Sequence, residues 1–141
     1  MMYNTFMLKN KFVSFVLFAA ITYLASFIGG VATITYKEPW YSTLNKSLLT
    51  PPDWIFAPVW TTLYLLMSIA IWHAWLNSNK DKNLLFIYLL HLFFNTTWSI
   101  VFFVYHSISV ALINLIIIIL FIIYLTLQFR NISNLSFYLM I

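Results

Sequence analysis

Apolar stretches follow one another along the chain, at about residues 12–36, 53–76, 84–105, 108–129 and from 135 onward, with short polar punctuation between them. Each of the first four exceeds the roughly 20 residues that a helix needs to cross a bilayer core about 30 Å thick, so the pattern predicts a row of membrane helices. The breaks carry turn chemistry. "NSNKDKN" (77–83) is a solvated turn, "YHSIS" around His106 is a very short hairpin, and "RNISN" (130–134) closes the fourth helix and starts a fifth. The one long connection is 37–52, and long loops are where function gathers. The last stretch, "LSFYLMI", could rise only ~10 Å as a helix. Being uniformly apolar, it reads as the opening of a further span in a fragment rather than as the tail of a four-span protein. The expected fold is therefore all-α and integral to the membrane: a single transmembrane domain over 1–141, a five-transmembrane-helix bundle with its fifth helix incomplete.

Composition sharpens this reading. Of 141 residues, 63% are hydrophobic and 7% charged, and the mean hydropathy is +0.92; a water-soluble domain of that make-up would expose a very large apolar surface. The formal charge of +4 would point to nucleic acid in a soluble protein. Here the Lys and Arg sit at span ends and read as topology determinants, with the lipid bilayer rather than nucleic acid as partner. Lys9, Lys11, Lys80, Lys82 and Arg130 fall on one side, Lys37 and Lys46 on the other. That places the N-terminus in the cytoplasm and the 37–52 loop outside. The stretch behind Lys9 and Lys11 is longer than a signal-peptide core and has no convincing A-x-A site, so it is kept as the first helix. With no cysteine, thiolate chemistry and disulfides are closed off.

The head of the second helix is crowded: "LTPPDWIFAPVWTTLYLLM", 49–67. Thr50 followed by Pro51, Pro52 and Asp53 predicts a capped helix start in a capping-box arrangement, with Pro52 as an alternative first position. Pro58 lies further in, where it removes a backbone bond and should kink the first turns, opening space between helices. Trp60, Tyr64, Met67 and Ile71 then recur on one helix face. Trp40, Trp54, Trp72 and Trp75 stand near span ends and fit an interfacial belt. On the third helix, His91, Asn95, Trp98 and Phe102 share a stripe. Polar side chains are costly in lipid, so the stripe should face the bundle interior, either for interhelical hydrogen bonding or for a ligand. Asn114 reads as interhelical glue. Thr22, Ser26 and Gly30, with Gly29 and Thr33 beside them, form a small-residue face that packs on a neighbouring helix or a second subunit.

Taken together, "WYSTLNKSLLTPPDWIFAPVWTTLYLLM" and "NTTWSIVFF" resemble the translocator protein family, also called tryptophan-rich sensory proteins or peripheral-type benzodiazepine receptors. The likeness rests on WY, PPxWxFxPVWxxLY and NxxWSxxFF in combination and covers nearly all of the chain from Trp40. It implies a five-helix bundle, often a homodimer, whose long first loop covers a pocket for tetrapyrroles such as porphyrin or haem. Carried over by motif position, the ligand-binding candidates are Trp40, Tyr41, Trp60, Tyr64, Asn95 and Trp98. His91 stands where relatives commonly carry an amide, a departure expected to alter hydrogen bonding to a ligand or to make it pH-sensitive. Ser47, Leu48 and Leu49 replace a more usual Pro and aromatic, which is expected to loosen the loop. A porphyrin is a flat aromatic disc with two carboxylates. Aromatic walls, a few amide or indole donors and Lys37 and Lys46 at the rim would suit it.

The leading expectation is a membrane tetrapyrrole-binding sensor or transporter-like protein that requires no cofactor, in a bacterial inner membrane. The resemblance also admits light- and oxygen-dependent porphyrin degradation, with the porphyrin supplying the photochemistry and nearby indoles taking part. No carboxylate pair, Ser-His-Asp set or metal-ligand spacing supports a designed reaction centre; His73, His91 and His106 lie on separate segments. A proton-coupled exporter is disfavoured because Glu38, Asp53 and Asp81 all sit at span ends.

Overall fold

The computed structural model describes residues 10–141; Lys9, one of the cations in the charge balance above, lies outside the described residues. The elements are α1 (Lys11–Tyr36), α2 (Trp40–Thr43), α3 (Asp53–Asn77), α4 (Lys82–Ser99), a π-helical turn (Ile100–Val104) continuing α4, α5 (Ile108–Ile132) and α6 (Asn134–Met140). Four helices, α1, α3, α4 with its π turn, and α5, are long and apolar enough to cross a membrane. α6 is a further, shorter helix. The expected segments are all found, with two shifts: α5 runs on through Arg130 to Ile132, and the 37–52 loop contains the single helical turn α2.

Local chemistry explains most of the starts. The Asn10 side chain accepts from the backbone N–H groups of Phe12 and Val13 at 3.0 and 3.4 Å, and Asp81 accepts from Asn83 N–H at 2.8 Å; both are side-chain N-caps. Ser133, in extended conformation, opens α6 in the same way. α3 departs from the expected capping box. Its cap residue is Pro52, and no side chain among the described residues caps it. The two prolines hold the chain extended, with Pro52 at ψ 144°, which leaves Thr50 too far upstream; Asp53 pairs instead with Lys37. α3 is assigned as one continuous helix across Pro58.

α1 packs against α3 and α4, α5 lies against α4, and α6 is wedged between α5 and α3. The helices thus close a ring in the order α1, α3, α6, α5, α4. The ring is tightly filled at the end where α1 begins, by Phe18, Ile71, Trp75, Tyr88, Leu125 and Phe129. Trp75 corrects the belt expectation: it is 3% exposed and edge-on to Phe18 at 5.9 Å, because α3 is flanked on both sides here by α1 and α6. Trp72 instead anchors α1, its indole N–H reaching Lys11 O at 3.1 Å. Trp54 is exposed, as a belt residue would be. Leu24 and Phe27 on α1, and Leu112, Ile116 and Leu120 on α5, point outward, the apolar coat expected of helices in lipid.

The small-residue face of α1 divides: Thr22 and Gly29 meet a neighbouring helix of the same chain, while Ser26, Gly30 and Thr33 border an open space. Thr22 Oγ1 and Tyr88 Oη are 2.7 Å apart, Thr96 Oγ1 donates to Ala25 O at 3.2 Å, and Gly29 abuts Ser99. Asn114 does act as glue, its Nδ2 donating to Thr97 Oγ1 across α5 and α4 at 3.2 Å.

Candidate functional site

The face of α3 divides along its length. Met67 and Ile71 belong to the packed half of the bundle; Tyr64, one turn nearer the 37–52 loop, is buried at its boundary and lines a cavity of about 510 Å³, and Trp60, a further turn on, borders the same cavity. The difference lies in what α1 presents opposite them. At the packed end it offers Phe18; at the loop end it offers Ser26, Gly30 and Thr33, which cannot fill the gap left by α3.

The two adjacent glycines have separate jobs. A Cβ at Gly29 would lie 3.2 Å from Ser99 Oγ, so the missing side chain lets α1 approach α4. At Gly30 nothing among the described residues lies within 4 Å of that position. It faces the open space.

α4 supplies the third wall. Trp98 and Phe102 stack at 5.1 Å with an interplanar angle of 7°, and Phe103 meets Phe102 edge-on at 4.9 Å. Their presentation depends on the π turn, where Tyr105 N–H reaches back to Ile100 O at 3.2 Å. The wider turn brings the consecutive residues Phe102 and Phe103 both to the cavity. The segment then reverses at His106, which has φ 53°.

The loop closes the same end. Tyr41 meets Phe103 edge-on at 5.9 Å and lines the cavity, as do Lys37 and Asp53, which form an ion pair between the end of α1 and the start of α3. The Lys37 and Lys46 ammonium groups lie 5.1 and 4.5 Å from the centre of the Tyr41 ring, within cation–π range. Leu48 and Leu49 are exposed and cover nothing.

Of the residues singled out from sequence, Tyr41, Trp60, Tyr64, Trp98 and Lys37 are brought together on the cavity wall. Asn95 stands behind it, accepting from Tyr64 Oη at 2.5 Å; it fixes the phenol rather than facing the space. Trp40 is outside the wall, stacked on His106 at 4.4 Å and 21° and edge-on to Phe102 at 5.2 Å, so it ties the loop to the hairpin. Lys46 reaches the site only through Tyr41. His91 corrects the expectation of ligand contact. It is 0% exposed, one turn further into the packed half, with both ring nitrogens unpartnered among the described residues. Sequence reasoning missed Ser26, Gly30 and Thr33 as wall residues, and also Phe56, Ala57, Thr61 and Asp53. Phe56 was legible, since it belongs to the aromatic motif; the α1 residues were legible only as a packing face.

Comparison with known proteins gives this geometry a context. The TspO/MBR family model matches residues 16–141. The chain is similar to the tryptophan-rich protein TspO of Archaeoglobus fulgidus, 37% identical over 78 residues, 55% of this chain and 51% of that protein. It is 38% identical over 95 residues to the tryptophan-rich sensory protein of Cereibacter sphaeroides, covering 65% of this chain and 59% of the relative. Similarity extends to the translocator protein of Bos taurus, 33% over 102 residues, 70% and 60% of the two chains. The chain thus spans little more than half the length of these relatives.

Proposed function

The chain belongs to the TspO/MBR family and is an integral membrane protein, and from that premise we propose that it binds a tetrapyrrole, porphyrin or haem, in the cavity between α1, α3 and α4, as a sensor or transporter-like protein for such ligands. The observation that carries this reading is the cavity of about 510 Å³ walled by Trp60, Tyr64 and Trp98 with Lys37 at its mouth. Its volume falls within the roughly 300–1,000 Å³ usual for small-molecule pockets, and mostly apolar aromatic walls with a few placed polar groups are what a flat disc with peripheral carboxylates needs. A sensing or translocating role accords with the names of the Cereibacter sphaeroides and Bos taurus relatives. We read α6 as part of a fifth membrane helix, on the strength of its apolar composition and its seat between α3 and α5. We also place the N-terminus in the cytoplasm of a bacterial inner membrane, from Lys11, Lys80, Lys82 and Arg130.

The test is a titration of the purified protein in detergent with protoporphyrin IX, followed by tryptophan fluorescence. Saturable quenching that weakens in Trp60→Phe is the expected result; no saturation, or a curve indifferent to that substitution, refutes the reading. Two oxidisable indoles on the wall, Trp60 and Trp98, favour a second reading, light- and oxygen-dependent breakdown of the bound porphyrin. Under illumination, bleaching faster than that of free porphyrin and slowed by Trp98→Phe would establish it, and bleaching at the free rate would dismiss it.

A further inference from the structure

The charges at the cavity mouth are arranged in an unequal way. Lys37 and Asp53 are the charged side chains on the wall among the described residues, and each is the other's partner. Their exposure differs sharply: the Lys37 side chain is 20% exposed and that of Asp53 66%. The Lys37 side chain is thus the more covered member of the pair, with its ammonium beside the Tyr41 ring, and the carboxylate is the more hydrated one. Lys46 stands off the wall, over Tyr41, and Glu38, an acid within the loop, accepts from Ser42.

We propose that Asp53 is an internal competitor for the ligand's acid group: an entering carboxylate takes the Lys37 ammonium, and Asp53 is released to solvent. This rests on the cavity being the ligand site and adds the selection rule for it. An ammonium has three donors and no acceptor, so it can pass from one carboxylate to another without leaving an unpaired group behind. Asp53, already mostly hydrated, loses little on release, since exposed ion pairs are weak. A neutral ligand of the same shape offers nothing in exchange and leaves the pair as it is. An anionic group gains Lys37 only by displacing Asp53, so the pair tempers the site's preference for acid ligands over neutral ones. Asp53 is the specificity-determining residue, and Lys37 is the one that touches the ligand.

The experiment compares protoporphyrin IX with its dimethyl ester, which keeps the disc and removes both charges. Dissociation constants are measured by tryptophan quenching for wild type, Asp53→Asn and Lys37→Gln, at low and high ionic strength. In Asp53→Asn the affinity for the diacid should rise roughly two- to fivefold relative to that for the diester, the range set by a weak exposed ion pair. In Lys37→Gln the diacid should lose affinity relative to the diester, and both differences should shrink in salt. An Asp53→Asn effect equal for the two porphyrins would mean that the pair only latches the loop, and it overturns the proposal. So does a Lys37→Gln variant that leaves the ratio unchanged. Absence of saturable binding of either porphyrin to wild type is a separate outcome: it removes the tetrapyrrole site itself, and the exchange with it.

Discussion

Gly29 and Gly30 are neighbours on one helix, so replacing each with leucine changes intrinsic helix propensity by about the same amount, up to ~0.8 kcal/mol in favour of leucine. That contribution cancels in the difference between the two variants and leaves packing alone. At Gly29 the first added atom already meets Ser99 Oγ at 3.2 Å and Ser99 Cβ at 3.6 Å, so Gly29→Leu must push α1 from α4 at an overpacking cost of about 1–3 kcal/mol. At Gly30 the Cβ position is clear to 4 Å, and the rest of the side chain extends into the cavity. Gly30→Leu should therefore unfold at or above the wild-type temperature in detergent, and Gly29→Leu several degrees below it. Binding should rank the other way for Gly30: four carbons placed against the face of a flat ligand should weaken porphyrin affinity about tenfold or more, the equivalent of at least ~1.4 kcal/mol. Thermal unfolding followed by tryptophan emission, together with the porphyrin titration, reads both. Equal stabilities for the two variants would refute the close α1–α4 approach at Gly29. Unchanged porphyrin affinity in Gly30→Leu would show that the ligand lies elsewhere.

Three other perturbations test separate parts of the arrangement. Tyr64→Phe strips Asn95 Oδ1 of its donor and should cost about 0.5–1.5 kcal/mol; the double variant with Asn95→Leu should cost less than the sum, and strict additivity in a thermal-unfolding cycle would argue against the bond. His91→Leu should raise the unfolding temperature, since it removes two unpartnered ring nitrogens from a fully buried position at a gain of about 1–3 kcal/mol; a fall would reveal a polar partner for His91. Trp40→Ala deletes the stack on His106 and the edge contact with Phe102, each worth about 0.5–1.5 kcal/mol. Limited proteolysis within 37–52 should then be several-fold faster, and an unchanged rate would mean that the loop is held by other contacts.

Periodicity was a good guide to helices and to faces, and a poor one to depth. His91, Asn95, Trp98 and Phe102 do share an inward stripe, yet their roles differ: His91 is sealed in the packed half, Asn95 braces Tyr64, and Trp98 and Phe102 border the cavity. A helical wheel carries no coordinate along its axis, so it could not separate them. Trp75 shows the same limit, since its nearness to a span end mimicked a belt residue until α6 covered it. The cavity itself depends on side chains that are not there, at Gly30 above all, and a missing side chain reads identically whether it admits a helix or leaves a space. The π turn could not be anticipated from "SIVFF", because the register slip that presents Phe102 and Phe103 together is a tertiary choice. The Lys37–Asp53 pair joins residues on either side of the loop whose proximity only the folded chain creates.

The size of the cavity constrains what it can be. At roughly 24 cal/mol per Å³, the penalty measured for sealed voids left in packed cores, an empty enclosed space of 510 Å³ would cost about 12 kcal/mol, as much as the whole stability of a typical domain. So large a space cannot be both closed and empty. The fold meets this by leaving a lip between α1 and α3, where Ile34, Phe56 and Trp60 stay exposed. It also braces the walls with directional bonds in place of filling atoms: Tyr23 Oη to Thr61 O at 3.1 Å and Tyr64 to Asn95 at 2.5 Å. Such bonds hold helices at a fixed separation whether or not the gap is occupied, whereas apolar walls would collapse toward each other. A space kept open by polar struts and lined mostly by rings offers an apolar surface to whatever fills it, so an occupant that matches it must be apolar over most of its own surface.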